Sequence, residues 1–328
     1  MIISKTPLRL SFVGGGTDLP DVYENYSKYG TVISTAIDKY IYITVNRKFD
    51  KKIRLSYSKT EIVDHIDELE HNIIREALRH VGIKDSIEVV YMAALPLSGG
   101  GSGLGSSSSL AVGTLKALYA LIGKFVSNEQ LAEEAFYIEK DVLKNPIGKQ
   151  DQYAAAFGGL NQIKFFRGGD VSVEPIICQP NMHNLISSEL FLVYTGIARF
   201  ASDILQNQKK EMEKKLDLYE NLVVMVEEFG LAIKTGDIAK CHEIMRQSWE
   251  KKKQLSSKIS TNEIDSWCEK GLNAGAAACK IAGAGGGGFM FFMCDEEVKT
   301  KIASALRGLV CLDVSIEQNG SQIIHASA

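Results

Sequence analysis

The chain has 328 residues, 45% apolar and 23% charged, and a formal net charge of -3. That length suits two packed domains, and the balanced charge without a basic block argues against nucleic acid or anionic lipid as a partner. No apolar run reaches the roughly 18 residues that span a bilayer. The opening MIISKTPLRLSF, broken by Lys5, Pro7 and Arg9, does not read as a signal peptide. Six scattered cysteines without a CxxC pair read as small buried side chains in a reducing cytoplasm.

In chain order, LRLSFV and the alternating, β-branched and aromatic YIYITVNRKF predict strands. SIEVVYMAAL predicts a third strand that runs into the glycine segment GGGSGLGSSSS. Beyond it, Ala111, Leu115, Leu118 and Ile122 recur at helical spacing and predict a helix that buries one face. SNEQ at 127–130 is a capping signal for the next helix, and DQYAAAF predicts a short one stopped by Gly158 and Gly159. After about residue 180 come the strand ELFLVYTG and two long charged helices. An alanine-rich helix, the glycine loop GAGGGG, the strand FMFFMC, a helix near 295–307 and a closing strand complete the pattern. Helices and strands without a strict βαβ rhythm predict α+β layering in two domains, 1–180 and 181–328.

Chemistry concentrates at the glycine segments. GGGSGLGSSSSL lies between a strand and a helix, so its last residues form a helix N-terminus, where unpaired N–H groups and the dipole favour an anion. It has no GK[ST] and makes a poor dinucleotide fingerprint; the ordinary alternative is a flexible connector with a serine cap. In NEQLAEEAFYIEKDVLKN, Glu139 falls on the apolar face in line with Ala132, Phe136 and Leu143. A carboxylate there needs a partner or a cation, unless it sits at the edge of the face and reaches water. Asp151 opens a helix, which suits a proton acceptor or an electrostatic anchor and equally suits plain capping. Arg9 could stabilise a phosphoryl group, and Asp18 beyond the turn VGGGTD could hold sugar hydroxyls or only steady the turn.

Taken in order, RLSFVGGGTD, PLSGGGSGLGSSSS and AGAGGGGF resemble the three motifs of the GHMP kinase family, and the resemblance covers essentially the whole chain. Within that family, SKTPLRLSFVGGGTDLP, GKQDQYAAAFGGLN and YTGIARFASDIL are most similar to the D-glycero-D-manno-heptose 7-phosphate kinases. The resemblance implies an N-terminal α/β domain with a left-handed βαβ unit and a ferredoxin-like C-terminal domain. It implies ATP-dependent phosphorylation of the anomeric hydroxyl of a sugar phosphate, feeding GDP-heptose synthesis. Gly101, Ser102, Gly103, Leu104, Gly105, Ser106 and Ser107 would cradle the ATP phosphates, and Ser107 with Glu139 would hold Mg2+. Asp151 would be the base or orienting carboxylate, with Arg9 beside it. Gly16, Thr17, Asp18, Gly285 and Gly286 would lie by the substrate. Lys149 and Arg199, with Lys5 a further candidate, would meet a substrate phosphate, each being equally readable as a surface charge. Two departures stand out: six residues separate Pro96 from Gly103 where the family has fewer, and GGGTD lacks the glutamate and histidine of galactokinases.

ATP and a sugar or sugar phosphate are thus the expected partners, and a homodimer is left open. The rivals are a fucokinase-like sugar 1-kinase, a non-catalytic nucleotide-binding regulator, and, weakest, a Rossmann oxidoreductase.

Overall fold

The computed structural model describes residues 1–25, 28–95, 102–198 and 201–327. The first part runs β1 (Ile2–Val13), α1 (Pro20–Tyr23), β2 (Gly30–Arg47), β3 (Ile53–Ser56), β4 (Thr60–Val63), α2 (Asn72–Val81) and β5 (Ile87–Ala93). It continues through α3 (Ser106–Leu121), α4 (Asn128–Tyr137), α5 (Gln150–Phe157), β6 (Leu160–Phe165) and β7 (Val171–Pro175). The second part runs α6 (Pro180–Ser188), β8 (Leu190–Tyr194), α7 (Ala201–Glu211), α8 (Leu216–Thr235), α9 (Ile238–Leu255) and α10 (Asn262–Asn273). It closes with β9 (Ala278–Ile281), β10 (Phe289–Met293), α11 (Glu296–Ala305), β11 (Val310–Asp313) and β12 (Gln322–Ala326).

The first sheet is organised by the long antiparallel pair β1–β2, whose register joins Ile2 to Val45 and Arg9 to Ala36. β2 also pairs β5 along one end and β6 along the other, and β3 lies parallel to β5. On this sheet lies α3, which also packs against α2, α4 and α5. The sequence predicted a helix burying one face; instead every residue from Ser108 to Leu115 is buried, because helices cover the side away from the sheet. Small residues make that possible. A Cβ on Gly113 would stand 2.6 Å from Thr6 Oγ1, and Ser109 Oγ donates to Pro7 O at 2.8 Å.

The second sheet has the order β11-β8-β10-β9, antiparallel throughout. With helices after its first and third strands in chain order, this is the βαββαβ pattern of a ferredoxin-like layer. The first long charged helix is interrupted by a 3₁₀ turn at Met212–Lys215, which separates α7 from α8.

One element differs in type. The alanine-rich stretch before the last glycine loop is not a helix: α10 ends at Asn273, and Ala278–Ile281 is the edge strand β9. Ala278 and Cys279 are buried between β10 and the helices α9 and α10, and this tertiary packing overrides alanine's helical preference. The division near residue 180 falls between β7 and α6, yet the chain crosses back at its end, where β12 pairs β1 in the first sheet.

Lys280 of β9 ties the two layers together. Its ammonium is fully buried and donates to Ser11 O at 3.1 Å and Phe12 O at 2.8 Å in β1. Burial, then the charges of Lys252 and Arg9, hold its pKa well below the ordinary lysine value.

Candidate active site

A cleft opens where the N-terminus of α3 faces the turn after β1 and the last glycine loop. Gly105 is the residue before α3, at φ +73°, a left-handed conformation that glycine adopts without penalty. A side chain there would also press on Arg9, with a Cβ 3.0 Å from Arg9 Cγ. The first-turn N–H groups after Gly105 lack helical partners and point along the positive end of the dipole. Ser106 is half-buried and Ser107 exposed at this mouth, while Ser108 and Ser109 turn inward. Leu104 is buried and gives its carbonyl to Arg9 N at 3.0 Å, so it anchors the loop. Ser102 Oγ accepts from Leu104 N at 3.2 Å, and Ser102 O accepts from Phe289 N of β10 at 3.0 Å. Gly101 lies outside the described residues.

Arg9 connects this loop to Asp151. Its Nε and Nη2 donate to the two carboxylate oxygens, each at 2.7 Å, and its Nη1 donates to Gly103 O at 2.6 Å. Both side chains border the cleft, but the guanidinium is 3% exposed and the carboxylate side chain 25%, so the carboxylate is the more accessible of the two. A bidentate fork fixes a carboxylate in one orientation. Asp151 lies in the first turn of α5, where the helix end adds to that hold.

Glu139 is almost wholly buried and sits in a π-helical turn, Ile138–Val142, that follows α4. Such turns re-aim a side chain out of a helix's regular progression. One oxygen, Oε2, accepts from Ser108 Oγ and Gln152 Nε2, each at 2.8 Å, and the Ser107 hydroxyl beside it also favours the ionised carboxyl. Burial raises its pKa above the ordinary range, against the pull of those three donors. Of the two readings left open by the sequence, a partnered carboxylate inside the protein is the one observed.

Asp18 also lines the cleft. Its Oδ1 accepts from Gly16 N at 2.9 Å, and its Oδ2 lies 2.0 Å from where a Cβ on Gly148 would be. Gly148 is therefore needed for space. Burial, and then the charge of Asp151, pushes the Asp18 carboxyl up. Gly16 lines the cleft. Thr17 does not; its hydroxyl lies 2.7 Å from Thr31 O and 2.9 Å from Gly14 O and accepts from Thr31 N, bolting the turn to β2.

The structure thus brings together, on one cleft, a helix N-terminus, an arginine-clamped carboxylate and a second buried carboxylate. The model for the GHMP kinases N terminal domain matches residues 71–159, and that for the GHMP kinases C terminal domain matches residues 230–309. This chain is a GHMP kinase. It is 32% identical to the D-glycero-alpha-D-manno-heptose 7-phosphate kinase of Campylobacter jejuni, over 93% of each chain. It is 26% identical to the galactokinase of Pyrococcus furiosus, covering 93% of this chain and 92% of that one. A crystal structure of a D-glycero-D-manno-heptose 1-phosphate kinase from Bacteroides thetaiotaomicron superposes over all of both chains with a TM-score of 0.81 at 23% identity, a likeness of fold. The protein is accordingly an enzyme, a sugar kinase of this family.

Within this kinase, several residues expected at the substrate are placed elsewhere. Gly285 and Gly286 face the segment before α10: a Cβ on Gly285 would lie 2.5 Å from Ile259 O, and Gly286 N donates to the same carbonyl at 2.8 Å. Gly283 and Ala284 line the cleft in their stead. Lys149 turns its ammonium away, to Glu133 at 2.9 Å and Gly169 O at 2.7 Å, over the ring of Phe136. Lys5 pairs with Glu317 and lies over the Tyr40 ring. Arg199 lies outside the described residues.

The cleft of this kinase also holds residues that no sequence motif marks. Lys252 is 6% exposed, lines the cleft and donates to Gly283 O at 2.6 Å. A signal existed: Lys252 shares the buried face of α9 with Cys241, Met245, Ser248 and Leu255, at helical spacing. Gln150, Gln208 and Leu205 also line the cleft, but nothing in their sequence neighbourhood distinguishes them from ordinary helix residues.

Among the described residues no helix is long and apolar enough to cross a membrane.

Proposed function

We propose that this kinase transfers the γ-phosphoryl group of ATP to the anomeric hydroxyl of D-glycero-D-manno-heptose 7-phosphate, giving the 1,7-bisphosphate for GDP-heptose synthesis in the cytoplasm. The carrying observation is that one arginine joins the two halves of the reaction: Arg9 holds Asp151 by two bonds and the phosphate-loop carbonyl of Gly103 by a third. The similarity to the Campylobacter jejuni heptose 7-phosphate kinase supports the choice of acceptor.

ATP phosphates lie against the N–H groups of Ser106 and Ser107 and the backbone of Ser102–Gly105, where the helix end supplies positive potential without a lysine. The sugar lies between Asp18 and Asp151. Asp151 accepts the hydrogen of the anomeric hydroxyl and holds its oxygen in line with the γ-phosphorus. The sugar O–P bond forms as the bond from the γ-phosphorus to the bridging oxygen breaks; the hydroxyl proton passes to Asp151 and ADP departs. Arg9 lets Asp151 keep its orientation throughout, because a guanidinium cannot give up its proton.

A magnesium ion fits the residues present. Glu139 and Ser107 offer hard oxygen ligands beside the helix end, and Glu139 is a buried carboxylate with hydroxyl and amide donors but no cationic partner among its described hydrogen bonds. Among the described residues no three acidic, histidine or cysteine side chains form a metal cage, and an ion shared with phosphates needs none. When bound there, magnesium would neutralise charge on the ATP phosphates.

The test is ATP consumption against free hexoses, free heptoses and their phosphates, with the product's phosphate position read by 31P and 1H NMR. Turnover of the heptose 7-phosphate with a new phosphate on the anomeric oxygen supports the reading. Preference for an unphosphorylated sugar such as fucose, or a product phosphorylated elsewhere, overturns it.

A further inference from the structure

Three consecutive glycines, Gly14, Gly15 and Gly16, follow β1. Gly14 and Gly16 have φ of +87° and +107°, where side chains are strained. Gly15 has no such φ, so its backbone accepts any residue. Its missing side chain is about space. Around the point where a Gly15 Cβ would stand are Lys252 Nζ at 3.2 Å, Ser11 Oγ at 3.7 Å and a Gln150 amide nitrogen at 3.8 Å.

Each of the three side chains is more than nine-tenths buried. They come from β1, α5 and α9, so packing of both layers brings them to one place. All three are hydrogen-bond donors. Among the described residues Ser11 Oγ and Gln150 Oε1 have no hydrogen-bond partner, although buried polar atoms are nearly always paired. Gln150 and Lys252 border the cleft. The setting is also cationic: beneath Ser11, Lys280 has Lys252 and Arg9 as its influential charged neighbours. Asp18 and Asp151 line the same cleft, and a hydroxyl would satisfy a donor, but a converging ammonium, hydroxyl and amide suit an oxyanion best.

We propose that Lys252, Ser11 and Gln150 form an oxyanion subsite beside Gly15, which takes the phosphate that the acceptor sugar already carries. Gln150 Oε1 is left to accept from a neighbouring sugar hydroxyl. This assignment deepens the proposed function and rests on its placing of the acceptor in this cleft. Lysine at 252 and the absence of a side chain at 15 then set the preference for a phosphorylated acceptor.

The experiment compares wild type with Lys252→Met and Gly15→Ala, using the heptose 7-phosphate and free heptose as acceptors. The first variant removes the cation at nearly constant shape; the second puts a methyl group into the recess. The ratio of kcat/KM for phosphorylated over free heptose falls at least about tenfold in each, through loss of one charge-assisted hydrogen bond in the first and a blocked recess in the second. Lys252→Arg retains part of the ratio. A readout without turnover is the rise in unfolding midpoint caused by inorganic phosphate, with magnesium and a non-hydrolysable ATP analogue saturating the phosphate loop. Wild type shows the rise and both variants lose it. A ratio unchanged within about twofold in both variants overturns the subsite even if heptose 7-phosphate is the substrate. If wild type instead prefers a free sugar, the proposed function fails, and the phosphate-induced rise decides the subsite: its loss in both variants upholds the oxyanion site, its absence in wild type removes it.

Discussion

The Arg9–Asp151 pair is unequal in exposure, and that inequality predicts an asymmetric response to mutation. Arg9 is 3% exposed and Asp151 25%. In Asp151→Ala the guanidinium loses both 2.7 Å bonds and cannot deprotonate, keeping its Nη1 bond to Gly103 O in a site that is almost wholly covered in the wild type. Stranding one member of a buried pair costs about 3–5 kcal/mol. In Arg9→Met the carboxylate is left at the cleft, where water solvates it, and the loss is about 1–2 kcal/mol. The double variant leaves no stranded charge, so it is more stable than the two single losses predict, with a coupling of about 2 kcal/mol or more. Urea unfolding of the four proteins, followed by far-UV circular dichroism without nucleotide, measures the cycle. Additive losses, or a larger loss for Arg9→Met than for Asp151→Ala, would refute the view that the buried arginine depends on Asp151. In turnover, Asp151→Ala loses at least about 100-fold with the KM for ATP little changed, as for a positioned proton acceptor. Near-normal turnover would take Asp151 out of the mechanism.

Glu139→Gln separates stability from metal binding. Burial raises the Glu139 pKa above 4.5, so the group's stabilising contribution is complete below the unfolded value and is lost as pH rises through the folded one. Without metal, the variant should therefore melt above wild type at neutral pH, with the gap closing toward pH 4.5, while its magnesium requirement rises; a gap that widens in acid contradicts this. For Lys280→Met the sign is opposite. A lysine pKa held below 10.5 makes wild-type stability rise with pH between the two values, so wild type gains on the variant as pH rises toward about 10 in thermal melts, and a flat difference counts against the depressed pKa. Gly283→Ala would put a Cβ 2.7 Å from Gly103 O at a φ of +68°. The strain is about 1–2 kcal/mol and the displaced phosphate loop raises the KM for ATP severalfold, with an unchanged KM showing that the two loops move independently.

Much of the machinery was local and therefore legible in the sequence. Ser127 caps α4 by accepting from Gln130 N at 3.2 Å, as its Ser-x-x-Gln spacing predicts. The glycine–serine segment runs into a helix N-terminus at Ser106, and Asp151 stands in the first turn of α5. Each of these follows from spacing along a single element, where neighbours in sequence are neighbours in space. What the sequence by itself could not decide is which side chains meet across elements. Arg9 and Asp151 are 142 residues apart, and only the register of β1 on β2 and the seat of α5 bring them together. Lys149 carries the same charge as Lys252, yet packing turns the first toward Glu133 and the second into the cleft. The alanine-rich stretch became β9 because β10 offered it a partner and the helices required small side chains. Elements are encoded by local periodicity; the partner of a buried charge is chosen by long-range packing, since only the folded core determines which ones can be satisfied.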